Sequence, residues 1–149
     1  MSESDQKIEF LHQDQEDKTL AICRAVERHY SRGETVVVLT ADAEQSAYLT
    51  ERLWSFSREA FIPHELASEV DSFEDCRVLL SDSEDVLPPA DSLVLGKPCS
   101  MDRFSGYRVI VDFAEGYDEE LLKASRERFK MYKNAGYQIS YVRPGARKG

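Results

Sequence analysis

The segment Thr35 to Leu39 reads Thr-Val-Val-Val-Leu, a β-branched run with no polar residue on alternate positions. A strand of that kind is apolar on both faces, so it must lie inside a sheet covered on both sides. The flanking segments supply one cover. Asp14, Glu16 and Asp17 favour a helix N-terminus, and the helix they start runs to about Arg32. Along it Ile22, Cys23, Val26 and Tyr30 form one apolar stripe, and Gly33 supplies the left-handed stop. Asp42 and Gln45 then give a capping-box-like start to a second helix ending near Trp54. With a short strand at Ile8 to Leu11, the chain opens as β-α-β-α.

The remainder continues in the same style. Short strands are predicted at Ala60 to Ile62, Val78 to Leu80 and Leu93 to Leu95, a stronger one at Tyr107 to Val111, and a last one at Tyr137 to Val142. A third helix spans Asp118 to Asn134, with acids at its start, Lys133 near its end and Gly136 beyond it. Pro88 and Pro89 exclude a helix between Asp82 and Asp91, and Asp71, Glu74, Asp75, Asp82, Glu84 and Asp85 read as a solvated acidic loop surface. The expected fold is α/β, a three-layer sandwich with a mainly parallel sheet, Rossmann-like but without a nucleotide-binding loop. At 149 residues it forms one domain, 1–149, with residues 1–6 and 143–149 expected to be flexible.

Several functions are disfavoured at this level. Neither G-x-x-x-x-G-K-[ST] nor G-x-G-x-x-G occurs, and the first crossover has no glycine with which to cradle a phosphate. Cys23, Cys76 and Cys99 are too scattered for a zinc site and read as reduced, mostly buried thiols; neither metal nor cofactor is expected. No apolar run reaches membrane-spanning length, and the polar opening MSESDQK has no secretory signal pattern, which points to the cytoplasm. A net charge of −9 opposes direct nucleic-acid binding. One enzymatic reading stays open: Asp112 and Glu115, after the strand ending at Val111, with His64 as a base, in a small α/β enzyme.

The charge is unevenly divided. Residues 1–116 hold 11 Lys and Arg against 24 Asp and Glu, a balance of −13, whereas residues 117–149 hold 8 against 4, a balance of +4. On a helical wheel with Leu122 at zero, Lys133, Arg126, Lys130 and Lys123 fall between about 20° and 100°. Leu121, Tyr132, Ser125 and Phe129 fall between about 260° and 340°, so an apolar seam borders a basic stripe. Such a face suits an acidic peptide with a hydrophobic end. A second concentration, LWSFSREAFIPHELA at residues 53–67, holds more aromatics than a connecting loop needs, and Trp54 and Phe61 are candidate partner anchors.

These two segments together resemble the chi subunit family of bacterial DNA polymerase III, an accessory component of the clamp loader. The resemblance rests on Leu53-Trp54, Phe61-Ile62-Pro63-His64, Asp112-Phe113, Arg126-Glu127-Arg128-Phe129-Lys130 and Ala135-Gly136-Tyr137 in that order. It implies a non-catalytic adaptor. Through positions matching Arg126, Phe129 and Lys130, with Arg128 and Lys133 beside them, it would bind the acidic C-terminal tail of single-stranded DNA-binding protein. Through the segment holding Trp54, Phe61, Ile62, Pro63 and His64 it would bind the psi subunit, or in some organisms a repair helicase on the same surface. Lys133 stands where arginine also occurs, and a lysine lacks the fork that arginine offers a carboxylate.

Overall fold

A computed structural model describes residues 6–55 and 62–143. Strand β1 (Lys7–Gln13) leads into helix α1 (Lys18–Ser31), strand β2 (Val36–Leu39) and helix α2 (Ala43–Ser55). Strand β3 (Glu65–Leu66), β4 (Val78–Ser81) and β5 (Ser92–Leu95) follow, then β6 (Val109–Glu115), helix α3 (Glu119–Asn134) and β7 (Gln138–Val142). Short 3-10 turns at Ala67–Glu69 and Met101–Gly106 complete the element order. The strands form one sheet in the order β3-β4-β2-β5-β6-β1-β7, and every pairing is parallel.

The unbroken apolar run of β2 is explained by its place in that order. All four of its residues are buried, between β4 on one side and β5 on the other. Val36 and Val38 pack with Ile22, Val26, Leu49 and Leu53 under α1 and α2. Val37 and Leu39 face the opposite layer, with Phe10, Phe104, Ile110 and Tyr132. The helices are stopped and started as their sequences dictate. Asp17 and Asp118 accept from the amides of Leu20 and Leu121 at 3.1 and 3.0 Å, and Gly33 and Gly136 turn with φ of 84° and 97°. At α2 the reciprocal bonds run from Gln45 N to Asp42 Oδ1 and from Ala41 N to Gln45 Oε1, both 2.8 Å.

Three expectations need correction. Strand β6 does not stop at Val111 but pairs with β1 through Glu115, and Tyr107 belongs to the turn before it. The pattern broke at Asp112, yet that acid is fully buried because Arg128 and Tyr132 neutralise and bond it. The strand expected at Ala60 to Ile62 falls partly outside the described residues; Ile62 is buried but in no strand, and the edge strand is Glu65–Leu66 instead. Gln6, counted among the loose N-terminal residues, is 5% exposed and donates to the carbonyls of Phe104 and Tyr107 at 2.6 and 2.8 Å.

A charged cluster lies between β1, the end of α1 and β5. His29, fully buried, has Nε2 3.2 Å from Glu9 and Nδ1 2.7 Å from Glu34, while Arg28 also pairs with Glu9 and Ser92 Oγ donates to Glu34 at 2.8 Å. Burial alone would raise both carboxyl groups. The bonds from His29 and the Arg28 charge outweigh it at Glu9, holding that carboxyl at about 2 against an ordinary 4.5. Bonds from His29 and Ser92 likewise lower Glu34. Carboxylates depressed in the folded state contribute stability that is full above their unfolded pKa and lost as pH falls toward the folded value. Urea unfolding is therefore expected to show stability falling between about pH 4.5 and 2, and Glu9→Gln to flatten that limb and cost about 1–3 kcal/mol at neutral pH.

Candidate protein-docking site on the last helix

Helix α3 crosses the face of the sheet opposite α1 and α2, and buries completely only Ser125 and Tyr132. Ser125 Oγ donates to Leu121 O at 2.8 Å and accepts from Glu115 N at 3.2 Å, fastening the first half of the helix to the end of β6. Tyr132 fastens the second half by donating to Asp112 Oδ2 at 2.6 Å. With that side fixed inward, Lys123, Arg126, Lys130 and Lys133 are all exposed, as the wheel required. Among the described residues, none of Arg126, Lys130 and Lys133 takes part in an ion pair. Their charge faces solvent.

Arg128 is placed differently from its neighbours. Its Nε donates to Asp112 Oδ2 at 2.9 Å and its Nη2 to Phe113 O at 2.9 Å, leaving its side chain 13% exposed. At roughly 240° on the wheel it stands on the inward flank, where only a buried acid makes an arginine tolerable. Burial would lower the guanidinium's affinity for its proton, but the Asp112 charge and hydrogen bond raise it.

Phe129, half-buried, is the apolar border of the basic stripe. It stacks on Phe10 with centroids 6.1 Å apart and meets the ring of Tyr141 edge-on at 6.2 Å. Tyr141 is 40% exposed and also lies edge-on to Phe10 at 5.9 Å. The Tyr141 hydroxyl shares a 2.7 Å hydrogen bond with His12 Nδ1, and the Arg143 guanidinium lies 5.5 Å over the Tyr141 ring. The face shared by α3 and β7 thus carries the partly exposed rings of Phe129 and Tyr141, seated on buried Phe10, with cations on both elements. Phe10, His12, Tyr141 and Arg143 were not singled out from sequence. The parallel register that sets Phe10 beside Tyr141 joins the two ends of the chain, and no spacing along the sequence encodes it.

Trp54 and His64, the described ends of the aromatic segment, lie toward the other edge of the sheet. Trp54 is 57% exposed, and its ring meets His64 edge-on at 5.6 Å. His64 Nδ1 lies 2.9 Å from Ile62 O, Pro63 is exposed, Ile62 is wholly within the α1/α2 core, and Phe61 lies outside the described residues. The residues of the enzymatic reading do not converge. Asp112 is engaged by α3, Glu115 by Lys18 at 3.6 Å and Tyr117 at 2.8 Å, and β4, β2 and β5 separate the β3 edge near His64 from β6. The thiols are equally unsuited to nucleophilic work: burial pushes Cys23 up to about 11 and Cys99 up to about 12. Cys23 is buried as expected, whereas Cys76 and Cys99 are partly exposed.

Residues 6–140 match the family model described as DNA polymerase III chi subunit, HolC. The chain belongs to that family. It is 34% identical over 123 residues to the DNA polymerase III subunit chi of Pseudomonas aeruginosa, an alignment covering 78% of this chain and 80% of that one. It is 26% identical over 119 residues to the subunit of the same name from Escherichia coli, covering 80% of each. Among solved structures, the C-terminal domain of the DEAD-box protein Dbp5 superposes with a TM-score of 0.56 over 94% of this chain and 91% of that one. At 14% identity that likeness concerns the α/β fold alone.

The geometry separates two roles on α3. Phe129→Ala should lower the unfolding free energy by about 1–2 kcal/mol, because a half-buried stacked ring is lost. Arg126→Ala, at an exposed and unpaired position, should change it by less than about 0.5 kcal/mol in the same urea titration.

Proposed function

We propose that this chi-family chain is a non-catalytic accessory subunit of the DNA polymerase III holoenzyme. It links the clamp loader, through psi, to the C-terminal tail of single-stranded DNA-binding protein during replication in the cytoplasm. The observation that carries this reading is the face of α3 where Arg126, Lys130 and Lys133 stand exposed and outside any ion pair, next to the Phe129–Tyr141 ring pair. An acidic tail that ends in phenylalanine offers the complementary chemistry. Arg126 grips the terminal carboxylate, Lys130 and Lys133 meet tail aspartates, and Phe129 receives the final ring. Arg128 serves from beneath, through Asp112.

The psi contact, or that of a repair helicase on the same surface, is assigned to the Trp54 edge, with Phe61, Pro63 and His64. Six strand spacings of about 4.8 Å put roughly 29 Å between the β3 and β7 edges, enough for both partners to be held at once. The acidic remainder of the chain discourages duplex DNA, so contact with nucleic acid runs through the partner.

Ordering a short tail costs entropy and much of the attraction is between exposed charges. Calorimetric titration with a tail peptide should therefore give a dissociation constant on the order of micromolar that weakens with salt. Arg126→Ala should cost about 1.5–3 kcal/mol of binding. Trp54 fluorescence should not respond to the peptide, since the rings lie on opposite edges. Equal binding by wild type and Arg126→Ala, or indifference to loss of the peptide's last phenylalanine, would show α3 to be a solvated face and nothing more.

A further inference from the structure

We propose that Asp112 is a positioning residue for the docking face, setting the rotation of α3 through Arg128 and Tyr132 so that Phe129 and the cations beside it face the peptide. The inference rests on the reading of α3 as the docking helix. Its basis is how little else fixes that helix. α1 has six buried residues with which to register itself on the sheet, whereas α3 has two, Ser125 and Tyr132; both hydrogen-bond to β6, and the Tyr132 ring also packs against Phe10 and Phe104.

Arg128 and Tyr132 are four residues apart, one turn along the same face, and both reach the Asp112 carboxylate, at 2.9 and 2.6 Å. Two attachments a turn apart oppose rotation and sliding together. Arg128 adds a third constraint at Phe113 O, 2.9 Å away, and its guanidinium lies 5.9 Å over Phe10, the ring on which Phe129 stacks. The tolerance is narrow. At a ring about 6 Å from the helix axis, a rotation of about 20° moves the ring by roughly 2 Å, enough to take Phe129 off Phe10 and Tyr141. An ion pair buried like this one is weak evidence for stability, and its attested use is to fix one arrangement among several of similar energy.

The test compares wild type, Asp112→Asn, Tyr132→Phe and the neutral double variant Asp112→Asn/Arg128→Met, all as full-length chains. Two quantities are read: nuclear Overhauser contacts from the Phe129 ring to Phe10 and Tyr141, and affinity for an acidic peptide ending in phenylalanine. In Asp112→Asn the ring contacts should be lost and affinity should fall about tenfold. The double variant removes the uncompensated buried charge, so it should regain thermal stability without regaining either the contacts or the affinity.

Recovery of affinity together with stability would reduce Asp112 to a structural role, as would unchanged contacts in Asp112→Asn. If Asp112→Asn does not fold, Tyr132→Phe, which keeps the ion pair, should weaken the contacts and the affinity by about threefold, and wild-type values there would overturn the proposal. A wild-type chain that binds no peptide would overturn the docking reading, while the ring contacts alone would still decide whether Asp112 sets the helix.

Discussion

The Asp112 carboxylate, with no exposed surface in the middle of β6, is the constraint to which the placement of α3 answers. A charge so placed is tolerable only with a partner at hydrogen-bond distance, and α3 supplies two. Burial and the adjacent carboxylate push the Tyr132 phenol far above its usual range, and the same carboxylate keeps Arg128 charged. Tyr132 and Arg128 are thereby both held as proton donors to it. On the opposite face of the same strand, Glu115 holds Lys18 at 3.6 Å, and burial lowers the pKa of that lysine against the pull of the acids. Strand β6 thus ties α1 to one side of the sheet and α3 to the other.

Much of the fold was legible because burial leaves plain marks on a parallel sheet. The two-sided burial of β2 follows from its run of valines, and the end of α1 from Gly33. The failures have separate causes. The strand that continues through Asp112 looks interrupted, because a sequence shows a charge but not the partner that makes its burial tolerable. The two-residue β3 is too short to carry any periodicity. At the site, the basic stripe could be found from helix geometry, since it involves one element. The other half of that face, Tyr141 with His12 and Arg143 beside it and Phe10 beneath, depends on strand order and register. Arg128 marks the limit of wheel arguments: an angle near 240° says nothing of the acid beneath it.

The likeness to the Dbp5 domain is one of fold alone. Here the first crossover presents Asp14, Glu16 and Asp17 rather than glycines, and the acid at the centre of β6 is used to hold a helix. What the sheet delivers is an exposed helix face with a defined rotation. Under the proposed function, concentrating cations on an otherwise acidic chain would draw an acidic partner to that face and repel it elsewhere.

The most direct measurement is a titration of the isotope-labelled full-length chain with the tail peptide of single-stranded DNA-binding protein, read as shifts of its backbone amides. The account predicts saturable shifts confined to α3 and β7, centred on Arg126, Phe129, Lys130 and Tyr141, with α2 and Trp54 unmoved. Shifts centred instead on Trp54 and His64, or a scatter over the surface without saturation, would contradict it.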